Sequence, residues 1–280
     1  MRKKEIVLAE RTGFCFGVKR AVDGITRALE DEGEVWSIGM PIHNPQEVAR
    51  LRSMGLRIAK SAAEIPDGAK VFIRAHGESK SVIKGLLDRG AQVTDMTCPF
   101  VRRAQERAGE LSAQGYRVVL LGDVLHPEIR AIMGYVDGPL DVVANAADAA
   151  KLPKLSRAAL ISQTTQQEEL LVEVASALIP KAEELHVCNT VCKATVERQD
   201  AVRRLAGNVD GLVVIGGRES ANTAKLRDIA AASGMSVLRI ENIDEMDWGW
   251  LEGKSRIGIA AGASTPQGLI TEVCDKIARM

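Results

Sequence analysis

The chain has 280 residues, is 46% hydrophobic, and balances 37 Lys and Arg against 37 Asp and Glu. That is enough apolar material for a substantial core, and without a basic run it counts against a nucleic-acid or anionic-membrane partner. The N-terminal run "IVLA" is too short for a signal-peptide core, no window approaches a membrane span, and five cysteines, an odd number, make no disulfide framework. A cytoplasmic chain with reduced or metal-bound thiols is expected.

In chain order, the strand-like "EIVLAE" leads to Cys15 in "RTGFCFGVKRA" and a helix with the apolar stripe Val18, Val22, Ile25 and Leu29. The strand "EVWSIG" closes on Gly39, His43 follows, and "NPQEVARLRSMG" reads as a helix. "VFIRAHGES" is a strand that breaks into small polar residues around His76. A helix and a strand then lead to Cys98 in "TCPFV", where Pro99 suits the first helical position and Val101, Ala104, Ala108 and Leu111 keep helical spacing. "YRVVLLG" ends on Gly122, "LHPEI" brings His126 and Glu128, and "AALISQTTQQ" carries Thr164 and Thr165. A third round runs from Cys192 through "GLVVIG", ending on Gly216, to Ser220, Ala221, Asn222 and Thr223 in "GGRESANT" and Ser264 in "IGIAAGAST".

The chain therefore repeats itself three times. Gly39, Gly122 and Gly216 each stand 24 positions beyond their cysteine, and His43, His126 and Ser220 each stand four beyond their glycine. Strands alternating with helices give parallel α/β sheets, and short Val-, Ile- and Leu-rich strands suit burial on both faces. The third round lacks its last strand, which "EIVLAERTGFC" can supply. The expected fold class is α/β, with three similar units in a pseudo-threefold trefoil around a central metal cluster. Their expected spans are 16–98, 99–189, and 1–15 together with 190–280.

Ligands of parallel α/β units gather at the carboxyl ends of strands. Three thiolates meeting there need a cationic partner: zinc with a fourth ligand from His, or an iron–sulfur cluster with one open iron. Helix N-termini stabilise either. A single free cysteine is most often a small buried hydrophobe, but three in register point to a metal centre. The register sets Cys188 aside as a strand residue, and Cys274 shares a core face with Ile270 and Ile277. His186 likewise falls inside a strand. Ser220, Asn222 and Thr223 open a helix, where free N–H groups attract anions, although ordinary capping accounts for the same residues. In "AGASTPQG", Thr265 is expected as a cap, Pro266 at the first helical position, and Ser264 free to face the centre. Glu128 either complements the first turn of its helix or acts as a general acid.

Together, "GFCFGVKRA", "PIHNPQEV", "RAHGES", "TCPFV", "LHPEI", "SQTT", "NTVCKATVERQ", "GGRESANT" and "AGASTPQ" resemble, in order and over essentially the whole chain, the 4-hydroxy-3-methylbut-2-enyl diphosphate reductase family of the non-mevalonate isoprenoid pathway. The resemblance implies an iron–sulfur oxidoreductase with a [4Fe–4S] cluster held by Cys15, Cys98 and Cys192, its fourth iron open to the substrate's allylic hydroxyl. It implies reductive removal of that hydroxyl as water, giving isopentenyl and dimethylallyl diphosphate. His43, His76, Ser220, Asn222 and Ser264 would hold the diphosphate, with His126 nearby. Glu128 would donate the proton and Thr164 orient the hydroxyl, with Thr165 beside it. Electrons would come from reduced ferredoxin or flavodoxin to a monomeric enzyme, with no nucleic-acid or membrane partner. The family often has a second serine in the diphosphate loop where this chain has Ala221, leaving only a backbone N–H there.

Overall fold

The computed structural model describes residues 4–280; the first three positions of the expected third unit lie outside the described residues. The elements are β1 (Glu5–Leu8), α1 (Phe16–Glu32), β2 (Val35–Ile38), α2 (Pro45–Ser53), β3 (Leu56–Ala59), β4 (Lys70–Ile73), α3 (Lys80–Asp88) and β5 (Gln92–Asp95). They continue with α4 (Pro99–Ala113), β6 (Arg117–Leu121), α5 (Pro127–Met133), β7 (Leu140–Val143), α6 (Ala146–Ala150), β8 (Leu155–Ser162), α7 (Glu168–Leu178) and β9 (Ala182–Cys188). The last round is α8 (Lys193–Leu205), β10 (Gly211–Ile215), α9 (Ala221–Ala232), β11 (Val237–Ile240), β12 (Arg256–Ala261) and α10 (Gln267–Ala278).

Three four-stranded parallel sheets result, in the orders β3-β2-β4-β5, β7-β6-β8-β9 and β11-β10-β12-β1. The order is the same each time. The strand ending in glycine lies inside, beside the strand that breaks into polar residues, and the strand leading to a cysteine lies on the edge. In the third sheet that edge is the N-terminal β1, paired to β12 with Glu5 opposite Arg256. The expected class of three similar α/β units is thus the observed one. Each sheet has an extra edge strand, β3, β7 or β11, that the three-strand reading of each repeat left out.

Alternation along a central strand shows why helices cover both faces. Val213 and Ile215 of β10 pack with Ile270, Val273 and Ile277 of α10, while Leu212 and Val214 pack with Val202 of α8 and Leu226 of α9. In the β6 sheet, Val118 and Leu120 meet Ala104, Ala108 and Leu111 of α4, and Val119 and Leu121 meet Leu171 and Val174 of α7. Such strands, sandwiched between helices, have no polar face to keep wet.

The chain forms two compact units. The smaller takes the N-terminal segment through Lys19, His43–Ala49 and Lys193–Met280, and so holds the β10 sheet. The larger takes Arg20–Ile42 and Arg50–Cys192 and holds the other two sheets. Among the described residues no helix is long and apolar enough to cross a membrane.

Candidate active site

Each of the three matched cysteines immediately precedes a helix: Cys15 before α1, Cys98 before α4, Cys192 before α8. Each backbone N–H donates to a carbonyl two residues past the strand that breaks into polar residues. Cys15 donates to Ala263, Cys98 to Ala75 and Cys192 to Thr164, each at 3.0 Å. The repeat therefore extends to individual backbone hydrogen bonds. The next residues in those loops are Ser264, His76 and Thr165, all three expected site residues. None of the five cysteines forms a disulfide among the described residues, and all are of intermediate exposure. Cys188 ends β9, as the register indicated, and Cys274 packs with Ile270 and Ile277 of α10, as its helix face indicated, with its thiol pKa pushed up by burial.

In the smaller unit, Ser220 caps α9 by accepting the Thr223 N–H at 3.2 Å, so Ala221 and Asn222 are the first helical residues. Asn222 is 5% exposed, and neither Nδ2 nor Oδ1 has a hydrogen-bond partner among the described residues. An unpaired buried amide is costly unless a ligand satisfies it. His43 belongs to the same unit. Its carbonyl accepts the Ser264 hydroxyl at 3.1 Å, and its Nδ1 lies 4.0 Å from the exposed Glu219 carboxylate. The result is a helix mouth, an unsatisfied amide, a hydroxyl and an imidazole at one sheet end, an arrangement suited to an anion. One expectation is corrected here. Thr265 does not cap α10; its hydroxyl donates to the Ile215 carbonyl at 3.0 Å, and Pro266 takes the cap position.

In the larger unit, Glu128 sits in the first turn of α5, 2% exposed. Thr164 grips it twice, through the backbone N–H to Oε1 at 2.6 Å and the hydroxyl to Oε2 at 3.0 Å. Burial outweighs those two bonds and pushes its pKa up to about 7. His126 caps the same helix, its Nδ1 accepting the Glu128 N–H at 3.1 Å, which leaves the ring proton on Nε2. Burial pulls the His126 pKa down to about 4, with Asp123 opposing and Arg74 adding to the fall. The ring is therefore neutral at pH 7. His76 meets it edge to face, ring centroids 5.6 Å apart.

Sequence reasoning missed two supports of this group. Gln163 accepts the Asp123 N–H at 3.3 Å and donates to the Thr165 hydroxyl at 3.1 Å, fixing one loop against the other. Arg74 is a half-buried cation whose Nε is buried with no partner among the described residues, and burial lowers its pKa. The available signals were an amide between a strand and two threonines, and an arginine closing an apolar strand.

The model of the LytB protein family matches residues 6–278. The chain belongs to that family. A curated relative from Geobacter sulfurreducens, named 4-hydroxy-3-methylbut-2-enyl diphosphate reductase, is 44% identical over 273 residues, 98% of this chain and 96% of the relative. One of the same name from Geotalea uraniireducens is 39% identical over 276 residues, 99% of this chain and 98% of the relative. A solved structure described as (E)-4-hydroxy-3-methyl-but-2-enyl diphosphate reductase, the terminal enzyme of the non-mevalonate pathway, is 38% identical and covers 99% of this chain and 100% of its own, with a TM-score of 0.70. The Plasmodium falciparum reductase structure superposes at a TM-score of 0.93 over 98% of this chain and 88% of its own at 22% identity, a likeness of fold.

Proposed function

We propose that this LytB-family chain is the reductase of 4-hydroxy-3-methylbut-2-enyl diphosphate, converting it to isopentenyl and dimethylallyl diphosphate in the last step of the non-mevalonate pathway. The observation that supports the reading most is the equal setting of the three cysteines, each at a helix mouth with its N–H on a strand-end loop. Three thiols so placed, with no fourth in the same setting among the described residues, fit an iron–sulfur cluster of the [4Fe–4S] type with one iron left without a protein ligand. Cys15, Cys98 and Cys192 would hold it, the first and third from the unit 1–15 with 190–280 and the second from the end of the unit 16–98, the three units 16–98, 99–189, and 1–15 with 190–280 being arranged as a trefoil. When bound, the cluster supplies the two electrons of the reduction.

The chain's own residues do the rest. The α9 mouth, through Ser220, the Ala221 N–H and the Asn222 amide, binds the diphosphate with His43, Ser264 and His76. Neutral His126 offers its Nε2–H to the ligand. Below a pH of about 7 the Glu128 carboxyl carries a proton, which it gives to the departing allylic oxygen. Thr164 fixes that carboxyl and orients the substrate hydroxyl, with Thr165 beside it. The alcohol takes up two electrons and two protons and leaves as water and an alkene. Reduced ferredoxin or flavodoxin supplies the electrons to a monomer in the cytoplasm, a reducing compartment that suits five cysteines outside any disulfide.

Anaerobic purification tests the reading. A brown protein with iron and acid-labile sulfide that consumes the allylic diphosphate is expected. A colourless zinc protein, or a metal-free folded protein that only binds the diphosphate, overturns it.

A further inference from the structure

The loop from Gly216 to Ser220 presents the mouth of α9, yet the bonds that fix it come from another strand. Arg239 and Glu241, two positions apart at the carboxyl end of β11, reach the loop with opposite charges. One Arg239 Nη donates to the carbonyls of Gly217 at 2.6 Å and Arg218 at 2.8 Å. Glu241 Oε1 accepts the Arg218 N–H at 2.7 Å. The Gly217–Arg218 peptide is thus gripped at both poles, its carbonyl by a cation and its N–H by an anion. Because a trans peptide holds C=O and N–H antiparallel, pinning the Arg218 carbonyl also turns the Glu219 N–H away from Arg239.

Other contacts close the clamp. The Gly217 carbonyl also accepts the Ser220 N–H at 3.0 Å, which ties the grip to the cap of α9. A Cβ at Gly217 would stand 2.3 Å from the His43 carbonyl, so only glycine lets the His43 segment lie on the loop. Glu241 itself is held, its carbonyl accepting Gln46 Nε2 at 3.2 Å and its N–H donating to Glu245 Oε2 at 3.0 Å. Glu245 in turn pairs with the Arg218 guanidinium at 2.9 Å. The Arg239 Nε is buried with no partner among the described residues, and burial lowers the group's pKa, so its charge is weakly solvated behind the loop.

We infer that Arg239 and Glu241 are positioning residues for the anion site, holding loop 216–220 in the one geometry that presents the α9 N–H groups and Asn222 to a diphosphate. The inference rests on the diphosphate reading above. It bears on this chain with particular force, because Ala221 supplies only a backbone N–H and such a donor is placed by the loop alone. Neither residue touches the ligand.

Titration of inorganic pyrophosphate by calorimetry, with KM and kcat of the cluster-loaded enzyme, tests it. Arg239→Met and Glu241→Ala are expected to weaken pyrophosphate and raise KM by about 10- to 100-fold, the range of one lost charge-assisted bond, with kcat at saturation within about three-fold. Glu241→Gln keeps the accepting oxygen and is expected to restore wild-type values. Asp210→Asn serves as the structural control, since Asp210 accepts two backbone N–H bonds from Ser255 and Arg256 at 2.7 and 2.8 Å in the same unit but none from the loop. Should Arg239→Met not fold, Arg239→Lys replaces it; the lysine chain is shorter and its ammonium lacks the fixed plane that aims the guanidinium, so an intermediate KM is expected. Variants that bind pyrophosphate like wild type, or an Asp210→Asn control that raises KM equally, overturn the inference alone. Wild-type protein that takes up no pyrophosphate removes the diphosphate reading and this inference together.

Discussion

The smaller unit's helix mouth and the larger unit's Glu128 pocket handle charge in opposite ways. At the mouth of α9 the donors beside the His43 imidazole do not titrate: the capping serine, a backbone N–H, a buried amide and a hydroxyl, with the partial charge of the helix end behind them. Around Glu128 the groups titrate, and burial sets each state, lifting the carboxyl to about 7 and dropping His126 to about 4. A site that must hold two phosphates over a range of pH does best when most of its donors do not titrate. A site that must give up a proton needs a group poised near neutrality. The same strand-end geometry, repeated in one chain, has been loaded with two different chemistries.

The widest break in that comparison is at the residues both halves share by repeat. Serine at Cys15, Cys98 or Cys192 is expected to cost most of the bound iron and nearly all turnover, since a hard alkoxide is a poor substitute for thiolate. Serine at Cys188 or Cys274 is expected to leave iron near wild type. Iron and sulfide assays of the five variants check this, and cluster loss on Cys188→Ser with retention on Cys192→Ser would refute the register.

Next in size is Glu128→Gln. It keeps shape and a donor but carries no transferable proton, so turnover is expected to fall by about 10²–10⁴-fold with iron content and substrate affinity kept. Wild-type turnover is expected to decline as pH rises through about 7, where the carboxyl loses its proton, and the residual rate of the variant to lack that limb. A Gln variant within a few-fold of wild type assigns the proton to another group.

The repeat made much of this legible. Equal spacing from cysteine to glycine identified the strands that form the sheet interiors, because buried parallel strands are continuous apolar runs. It also matched the residues now seen in equivalent loops, Ser264, His76 and Thr165. The strands it missed, "LRIA", "LDVV" and "VLRI", have four residues each and lie at sheet edges, where one polar side chain breaks a short pattern. Missing β11 also hid Arg239 and Glu241. Thr265 looked like a cap because Thr before Pro is a common helix entry; a carbonyl across the sheet, Ile215, claimed its hydroxyl instead. Local sequence carries caps and periodicity, but not which distant carbonyl lies within reach.

In the smaller unit the expected effects are on binding. Alanine at Asn222 or His43 is expected to weaken the diphosphate by roughly 10- to 100-fold, one or two bonds to a charged ligand being lost, with no change in the pH dependence of turnover. Calorimetric titration with the substrate separates this from the Glu128 effect. Affinity unchanged in both variants would remove these residues from the site.

The smallest expected effect sharpens the contrast within the Glu128 pocket itself. Thr164→Val deletes the hydroxyl bond to Oε2 and keeps the backbone bond to Oε1. Both Thr164 bonds favour the ionised carboxylate and so oppose the burial that raises the pKa. Removing one lets burial act further, and the basic limb of the turnover profile is expected to move above about 7, not below it. The sign also fixes a stability slope. The folded carboxyl holds its proton to higher pH than an ordinary glutamate, so the native state binds more protons between about 4.5 and 7. Glu128 therefore costs folding stability as pH rises through that window. Thermal midpoints of wild type are expected to fall across it by more than those of Glu128→Gln, whose amide does not titrate, and Thr164→Val is expected to extend the fall to higher pH. A limb that moves downward in Thr164→Val would mean that the hydroxyl accepts from a protonated Glu128 in the resting enzyme and stabilises the acid.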